Sequence, residues 1–269
     1  MPDPGAVLAV TGLGKKFGDF TAVDDVSFAL PPRGSLAIVG ESGSGKTTIA
    51  RMIVGLEQPT SGTITACGTD RSRPARSWKD RRRRGREVQI VFQDPYTSLD
   101  PRQCATETID EVLRLHHGWP AGRRRDRVGE LTELVGLDER QSRALPRALS
   151  GGQRQRVAIA RALAAEPRIL ILDESVAALD VSIQAQVLNL LADIRAETGV
   201  SYLLISHDLA VVRQLADTTI VLRRGQVVER GPTGQVLDEP QHDYTKRLRA
   251  SVPRPGWKPT RQFFPSGQN

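Results

Sequence analysis

Gly40-Glu41-Ser42-Gly43-Ser44-Gly45-Lys46-Thr47 fits the pattern G-x-x-x-x-G-K-[ST], and what flanks it decides the fold. Before it, Ser35 to Val39 is an apolar run that predicts a strand, entered through the turn Pro31-Pro32-Arg33-Gly34. After it, Ile49, Met52, Ile53 and Leu56 recur at i, i+3, i+4 and i+7, which predicts one face of a helix that Gly55 and Pro59 help to end. In a strand, glycine loop and helix of this kind, backbone N–H groups curl around phosphate oxygens and the helix N-terminus adds its partial positive charge. The expected nucleotide-binding residues are Gly40, Glu41, Ser42, Gly43, Ser44, Gly45, Lys46, Thr47 and Thr48. Lys46 is expected to reach the β- and γ-phosphates, and the Thr47 hydroxyl to bind Mg²⁺.

Further strands are predicted at Val7 to Val10, Val26 to Leu30, Thr63 to Ala66 and Val88 to Phe92. Between Tyr96 and about Ser150 the pattern turns helical, with segments at Thr106 to Leu115 and Arg127 to Val135, and an inserted helical subdomain is expected. Alternation then resumes: a helix from Gly151 to Ala165, a strand at Ile169 to Leu172, a helix at Ile183 to Glu197 and a strand at Tyr202 to Ile205. Strands apolar on both faces and alternating with helices indicate an α/β fold with a parallel sheet covered on both sides. Thr219 to Leu222 and Gln226 to Glu229 predict a closing hairpin, and Pro240, Pro253, Pro255, Pro259 and Pro265 mark an appended tail.

With 269 residues the chain can bury a sizeable core. Its longest apolar runs, Ile169 to Leu172 and Tyr202 to Ile205, fall far short of the roughly 18 residues that span a bilayer, so no membrane crossing is expected. Met1 to Gly5 shows no basic region followed by an apolar run, and a cytoplasmic location is expected. Cys67 and Cys104 lack CxxC spacing, which predicts neither a disulfide framework nor a metal cluster. The net charge is +7, and 32 of the 38 basic residues are arginine. Two runs carry much of that bias, Arg81 to Arg84 with Arg86, and Arg123 to Arg125 with Arg127. Neither is interleaved with aromatic residues or joined to a nucleic-acid motif, so no nucleic-acid partner is expected; a solvated face is the expectation, with acidic lipid headgroups or a partner surface as the alternative.

Asp173 and Glu174 stand at the C-terminal end of an apolar strand, the edge at which open parallel sheets bind ligands. Asp173 fits a residue that holds Mg²⁺ through water, and Glu174 one that positions an attacking water; a helix N-cap pair is the plain alternative. Leu149-Ser150-Gly151-Gly152-Gln153 contains, in Ser150 and Gln153, a capping box that would by itself account for the residues.

That stretch, followed by Arg154-Gln155-Arg156-Val157-Ala158-Ile159-Ala160-Arg161-Ala162-Leu163, resembles the signature motif of ATP-binding cassette (ABC) ATPases. Other positions agree with the family in order: Gln93 is similar to the Q-loop glutamine, His207 to the switch histidine, and Ala178-Leu179-Asp180 to the D-loop. Phe17 resembles the aromatic that stacks on adenine, with Phe20 as a substitute. The resemblance implies catalytic roles for Glu174, His207 and Gln93, an Mg²⁺ site of Thr47, Gln93 and Asp173, and a signature of Leu149, Ser150, Gly151, Gly152 and Gln153 that acts in trans. It implies a P-loop NTPase (RecA-like) core with an N-terminal antiparallel β subdomain and an inserted ABC-type helical subdomain, arranged as core 1–95, helical subdomain 96–150, core 151–235 and tail 236–269.

Ile90 to Arg102 and Leu179 to Leu191 resemble the ATPase subunits of peptide and nickel importers in particular. Pro240-Gln241-His242-Asp243-Tyr244-Thr245 is similar to their His-Pro-Tyr element, with Asp243 in place of proline, and Ser175 replaces the proline that usually follows the glutamate. The implied partners are transmembrane permease subunits, a second ATPase subunit in a homodimer or heterodimer, and indirectly an external solute-binding protein, with the chain peripheral on the inner face of the cell membrane. Two rival readings are a soluble ABC ATPase acting on nucleic acid or ribosomes, and a regulatory subunit that holds ATP without useful turnover.

Overall fold

All five side chains of β3 (Ser35–Val39) are buried, which requires a strand covered on both faces. β7 (Ile169–Asp173) and β8 (Ser201–Ser206) are buried along their whole length in the same way. The computed structural model describes residues 5–94, 98–177 and 179–250. These three strands sit in a six-stranded sheet with β6 (Val88–Val91), β9 (Thr218–Arg223) and β10 (Gln226–Pro232), in the order β10-β9-β3-β8-β7-β6. All neighbours run parallel except the β9–β10 hairpin.

Side chains alternate across a strand, so the sheet feeds two cores. Leu36, Ile38, Ile171, Leu203 and Ile205 point to one, where they meet Ile49, Met52 and Ile53 of α1 (Lys46–Val54). A second sheet closes that core: β1 (Leu8–Phe17), β2 (Phe20–Leu30), β4 (Ser61–Ala66) and β5 (Thr69–Asp70), antiparallel in the order β2-β1-β4-β5. Ala37, Val39, Leu170, Leu172 and Leu204 point to the other core. There they meet Ile109 and Leu113 of α3 (Ala105–His116), Leu131 of α4 (Ala121–Leu134), and residues of α6 (Gly151–Leu163) and α7 (Val181–Thr198). α5 (Glu139–Ser142) lies between α4 and α6 in the chain, so the stretch from α3 to α6 is helical throughout its regular elements.

The sequence signals fail in several places, for definable reasons. Leu56 was expected on the buried face of the first helix but is exposed: Gly55 caps that helix in the left-handed conformation (φ 82), with its N–H bonded to the Met52 carbonyl. β1 and β2 run far past the apolar stretches that predict them, because ladder pairing from Leu8–Leu30 to Phe17–Phe20 carries exposed charged residues such as Lys16 and Asp24 within the strands. The first arginine run is part of a helix, α2 (Trp78–Glu87), that has no buried residue and so no apolar periodicity to read. The second run lies in the first turns of α4, which starts six residues before the predicted helical segment at Arg127.

α8 (Leu209–Leu215), α9 (Thr233–Asp238) and α10 (Asp243–Ala250) complete the described chain. Val236, Leu237 and Tyr244 are buried in the larger core, so residues up to 250 are packed. The prolines at 253–265, with Tyr96 and Ala178, lie outside the described residues. No described helix is long and apolar enough to cross a membrane.

Tyr202 is fully buried, and its hydroxyl donates to the Leu191 carbonyl at 2.8 Å, tying β8 to α7. Burial pushes that hydroxyl's pKa upward, so it stays a donor. Tyr202→Phe is expected to cost about 1 kcal/mol in urea denaturation with an unchanged m-value; an unchanged midpoint would show that the bond contributes nothing net.

Candidate functional site

The parallel ladder brings four strand ends to one edge. Val39 pairs with Ser206, Asp173 with Ile205, and Val91 with Leu172. Gly40, His207, Glu174 and Gln93, each one or two residues past those ends, therefore gather at the C-terminal edge of the sheet.

The loop from Gly40 to Gly45 is shaped from beneath by β2. Gly45 adopts φ 104, and a Cβ there would collide with the carbonyl oxygen of Ala22. Only glycine satisfies both the left-handed backbone and that close approach. Ser44 N–H donates to the Glu41 carbonyl at 3.2 Å, and Lys46 Nζ donates to the carbonyls of Gly40 at 2.7 Å and Glu41 at 2.8 Å. Burial lowers the Lys46 pKa, and the charges of Glu174, Asp173 and Glu41 oppose that shift. α1 has no side-chain cap and no acidic residue in its first turn, so the N–H groups at its start are available to an anion. The residues present therefore fit a phosphate chain.

Thr47 Oγ1 donates to Asp173 Oδ1 at 3.2 Å. Burial raises the Asp173 pKa; the bond from Thr47 opposes this and the charge of Glu174 adds to it. A hydroxyl beside a carboxylate, with phosphate oxygens adjacent, is the all-oxygen donor set that Mg²⁺ takes. Gln93 is exposed two residues past β6 at the same edge.

Glu174 sits at φ 49, with its N–H donated to the Ile205 carbonyl at 2.8 Å. Its Oε1 lies 3.3 Å from Nδ1 of His207, and the two side chains are 19% and 56% exposed. A carboxylate whose main chain is tied to the next strand and whose oxygen lies beside an imidazole is suited to orienting a water and later accepting its proton. Ser175, behind it, is buried.

Ser150 caps α6: its Oγ accepts from Gln153 N–H at 3.2 Å, and Gln153 Oε1 accepts from Ser150 N–H at 2.8 Å. The capping box is real and Ser150 is nevertheless exposed, while Leu149 is buried. Gly152 backs onto Ile183 of α7 so closely that a Cβ would strike the Ile183 side chain, and Gly151 faces Leu179. Asp180 opens α7 without a capping bond and is exposed. Phe17 and Phe20 are cross-strand neighbours at the tip of the β1–β2 hairpin, 47% and 62% exposed. Lys15 Nζ lies 4.7 Å from the Phe17 ring centroid.

One residue of the loop's surroundings escapes sequence reading. Tyr244, buried on α10, accepts a hydrogen bond from Glu41 N–H at 3.0 Å across 203 residues of chain. Arg223 lies over its ring at 5.1 Å. His242 Nδ1 accepts from Tyr244 N–H at 3.1 Å, and the Glu229 carboxylate accepts from the N–H groups of Gln241 and His242. The histidine and tyrosine of the tail element are visible in the sequence, but nothing there ties them to the phosphate loop.

Residues 23–177 match the family profile described as ABC transporter. The oligopeptide transport ATP-binding protein OppD of Mycobacterium tuberculosis is 46% identical over 90% of this chain, which spans only 39% of that relative's length. A putative peptide import ATP-binding protein of Brucella abortus is 49% identical over 87% of this chain and 70% of its own. Among solved structures, a dimeric post-hydrolysis state of the ATP-binding cassette MJ0796 bound to ADP and Pi superimposes with a TM-score of 0.75 at 29% identity, covering 84% of this chain and 98% of that one.

Tyr244→Phe keeps the ring and removes the acceptor for Glu41 N–H. Nucleotide affinity, read by titration with a fluorescent analogue, is expected to fall about fivefold, with Tyr244→Ala weaker still; equal affinities for all three proteins would mean that α10 does not hold the loop.

Proposed function

The chain belongs to the ABC transporter family, and from that premise we propose that it is the ATP-hydrolysing subunit of an importer for peptides, nickel or a related small solute. The observation that carries this reading is the convergence of Lys46, the Thr47–Asp173 pair and the Glu174–His207 pair on one sheet edge.

In the proposed reaction, Lys46 and the N–H groups at the start of α1 hold the β- and γ-phosphates of ATP. Thr47 and Asp173, with Gln93 at the same sheet edge, would hold Mg²⁺, which would supply charge neutralisation at the phosphoryl oxygens. Glu174 orients the attacking water and accepts its proton late, while His207 keeps that carboxylate in place and adds a donor near the γ-phosphate. Phe17, or Phe20 beside it, stacks on the adenine.

Ser150 is exposed at the uncovered N-terminus of α6, where a hydroxyl and the positive end of the helix suit an anion, which supports a role toward the phosphates of a second subunit. That subunit is a second copy or a different ATPase of the same type. Closure on ATP and release on hydrolysis then form a two-state switch, with Gln93 and the segment after it passing the movement to permease subunits in the membrane. The importer reading rests on the oligopeptide-transport name of a relative at 46% identity and the peptide-import name of one at 49%. It implies an external solute-binding protein and a peripheral position on the inner face of the membrane.

Glu174→Gln is expected to retain ATP binding and lose steady-state phosphate release by about 10²- to 10⁴-fold; turnover near the parent level would remove Glu174 from its role. Lys46→Ala is expected to weaken ATP binding by about 10- to 100-fold through loss of charge-assisted bonds, measured by nucleotide titration. Affinity purification from native membranes is expected to recover permease subunits; recovery of ribosomes or nucleic acid in their place would overturn the importer reading.

A further inference from the structure

The two arginine runs, separate in sequence, meet on one face of the molecule. Arg86 of α2 lies 3.5 Å from Glu166, and the same carboxylate oxygen is 3.9 Å from Nδ1 of His117. His117 stacks on Trp119 with ring centroids 4.2 Å apart, and Arg123, the first residue of the second run, lies 4.1 Å over the Trp119 ring. His116 lies against Gly85 of α2. α2, the end of α3 and the start of α4 thus form one continuous surface.

Its charge is poorly balanced. Arg83 and Arg84 share Asp80, Arg86 takes Glu166, and Arg124 takes Asp110. Among the described residues, Lys79, Arg81, Arg82 and Arg123 have no carboxylate within ion-pair distance. Trp78 opens α2 and is 65% exposed; Trp78, Arg82 and Arg86 follow one another at i, i+4 and i+8, along one stripe of a helix that buries none of its residues. Leu115, at the end of α3, is also exposed.

A basic stripe with an exposed tryptophan matches the water–bilayer boundary, where the indole enters the headgroup layer and cations meet phosphates. A single-strand nucleic-acid platform instead needs successive free ring faces, and with Trp119 already carrying His117 and Arg123, Trp78 is left as the one exposed ring among the described residues of this face. We propose that this face, built from α2 with the adjoining ends of α3 and α4, docks on anionic phospholipid headgroups. The contact is independent of nucleotide turnover and would add a direct lipid hold to whatever grip the permease provides.

The test is co-sedimentation of the purified chain with phosphatidylcholine vesicles, with and without phosphatidylglycerol. Binding is expected only to the anionic vesicles, and to weaken as salt rises well above about 0.1 M, where the screening length is already about 10 Å. The triple variant Lys79→Gln, Arg81→Gln, Arg82→Gln is expected to lower partitioning about 100-fold, and Trp78→Ala to lower it about tenfold. The charge-conserving pair Arg81→Lys, Arg82→Lys is expected to bind within about twofold of the parent. Unchanged ATP affinity and melting temperature identify variants that are folded. Equal partitioning onto neutral vesicles, parent-level binding by the folded triple variant, or tighter retention by a homopolymeric RNA than by anionic vesicles would each overturn the proposal.

Discussion

The hydrogen-bonded register of β3, β8, β7 and β6 is the constraint on which the rest of the site depends. Backbone pairing fixes where each strand stops relative to its neighbours, and the stops of these four coincide to within a residue or two. A one-residue slip in any pair would exchange its two buried faces as well as displace its terminal side chain, so the cores that flank the sheet enforce the geometry of its edge. The fold therefore specifies Asp173 and Glu174 twice, once through the ladder and once through the packing of Ile171 and Leu172 on opposite sides of it.

What stands at that edge is a set of charges only partly satisfied by the protein. Burial works against the ionised forms of both Lys46 and Asp173, and each is partly offset by neighbours of the site. Backbone carbonyls hold the lysine in a place that phosphate oxygens would fill more favourably, and the helix start beside it lacks a cap. In the proposed reaction the nucleotide's phosphates meet the charge of Lys46 and the uncapped N–H groups at the start of α1. Tyr244 stiffens this loop from its far end, so the packed helices after β10 contribute to the site although they carry none of its chemistry.

Much of this was legible in the sequence because it depends on local chemistry. The glycine pattern needs no tertiary information to predict a tight turn at Gly45, and the wholly apolar strands announce a doubly covered sheet. α2 was illegible because helix prediction rests on a buried stripe, and α2 has none; its start is set by the Ser77 hydroxyl accepting from Asp80 N–H. Leu56 misled because the periodicity continues one residue past the point at which Gly55 turns the chain. The Tyr244 contact and the meeting of the two arginine runs were beyond reach because each joins distant segments by a few specific atoms, with no repeating pattern to betray them.

In the proposed reaction the turn at Ser150 serves structure and chemistry together. Ser150 uses its hydroxyl as acceptor from Gln153 N–H, and because the residue is exposed its O–H is still able to donate. The turn is not free to drift, since Gly152 is pressed against Ile183 of α7 and α6 packs on β6 and α7. From Ser150 the chain runs along α6, about 20 Å of helix, then through a short turn into β7, which ends at Asp173. A force applied to the turn by the phosphates of a facing subunit would thus act on a stiff rod whose next element carries this subunit's own acidic pair. In the proposed dimer that connection links each site to the other through packed backbone, and the buried face of α6, together with the close glycine contact at Ile183, keeps the rod seated.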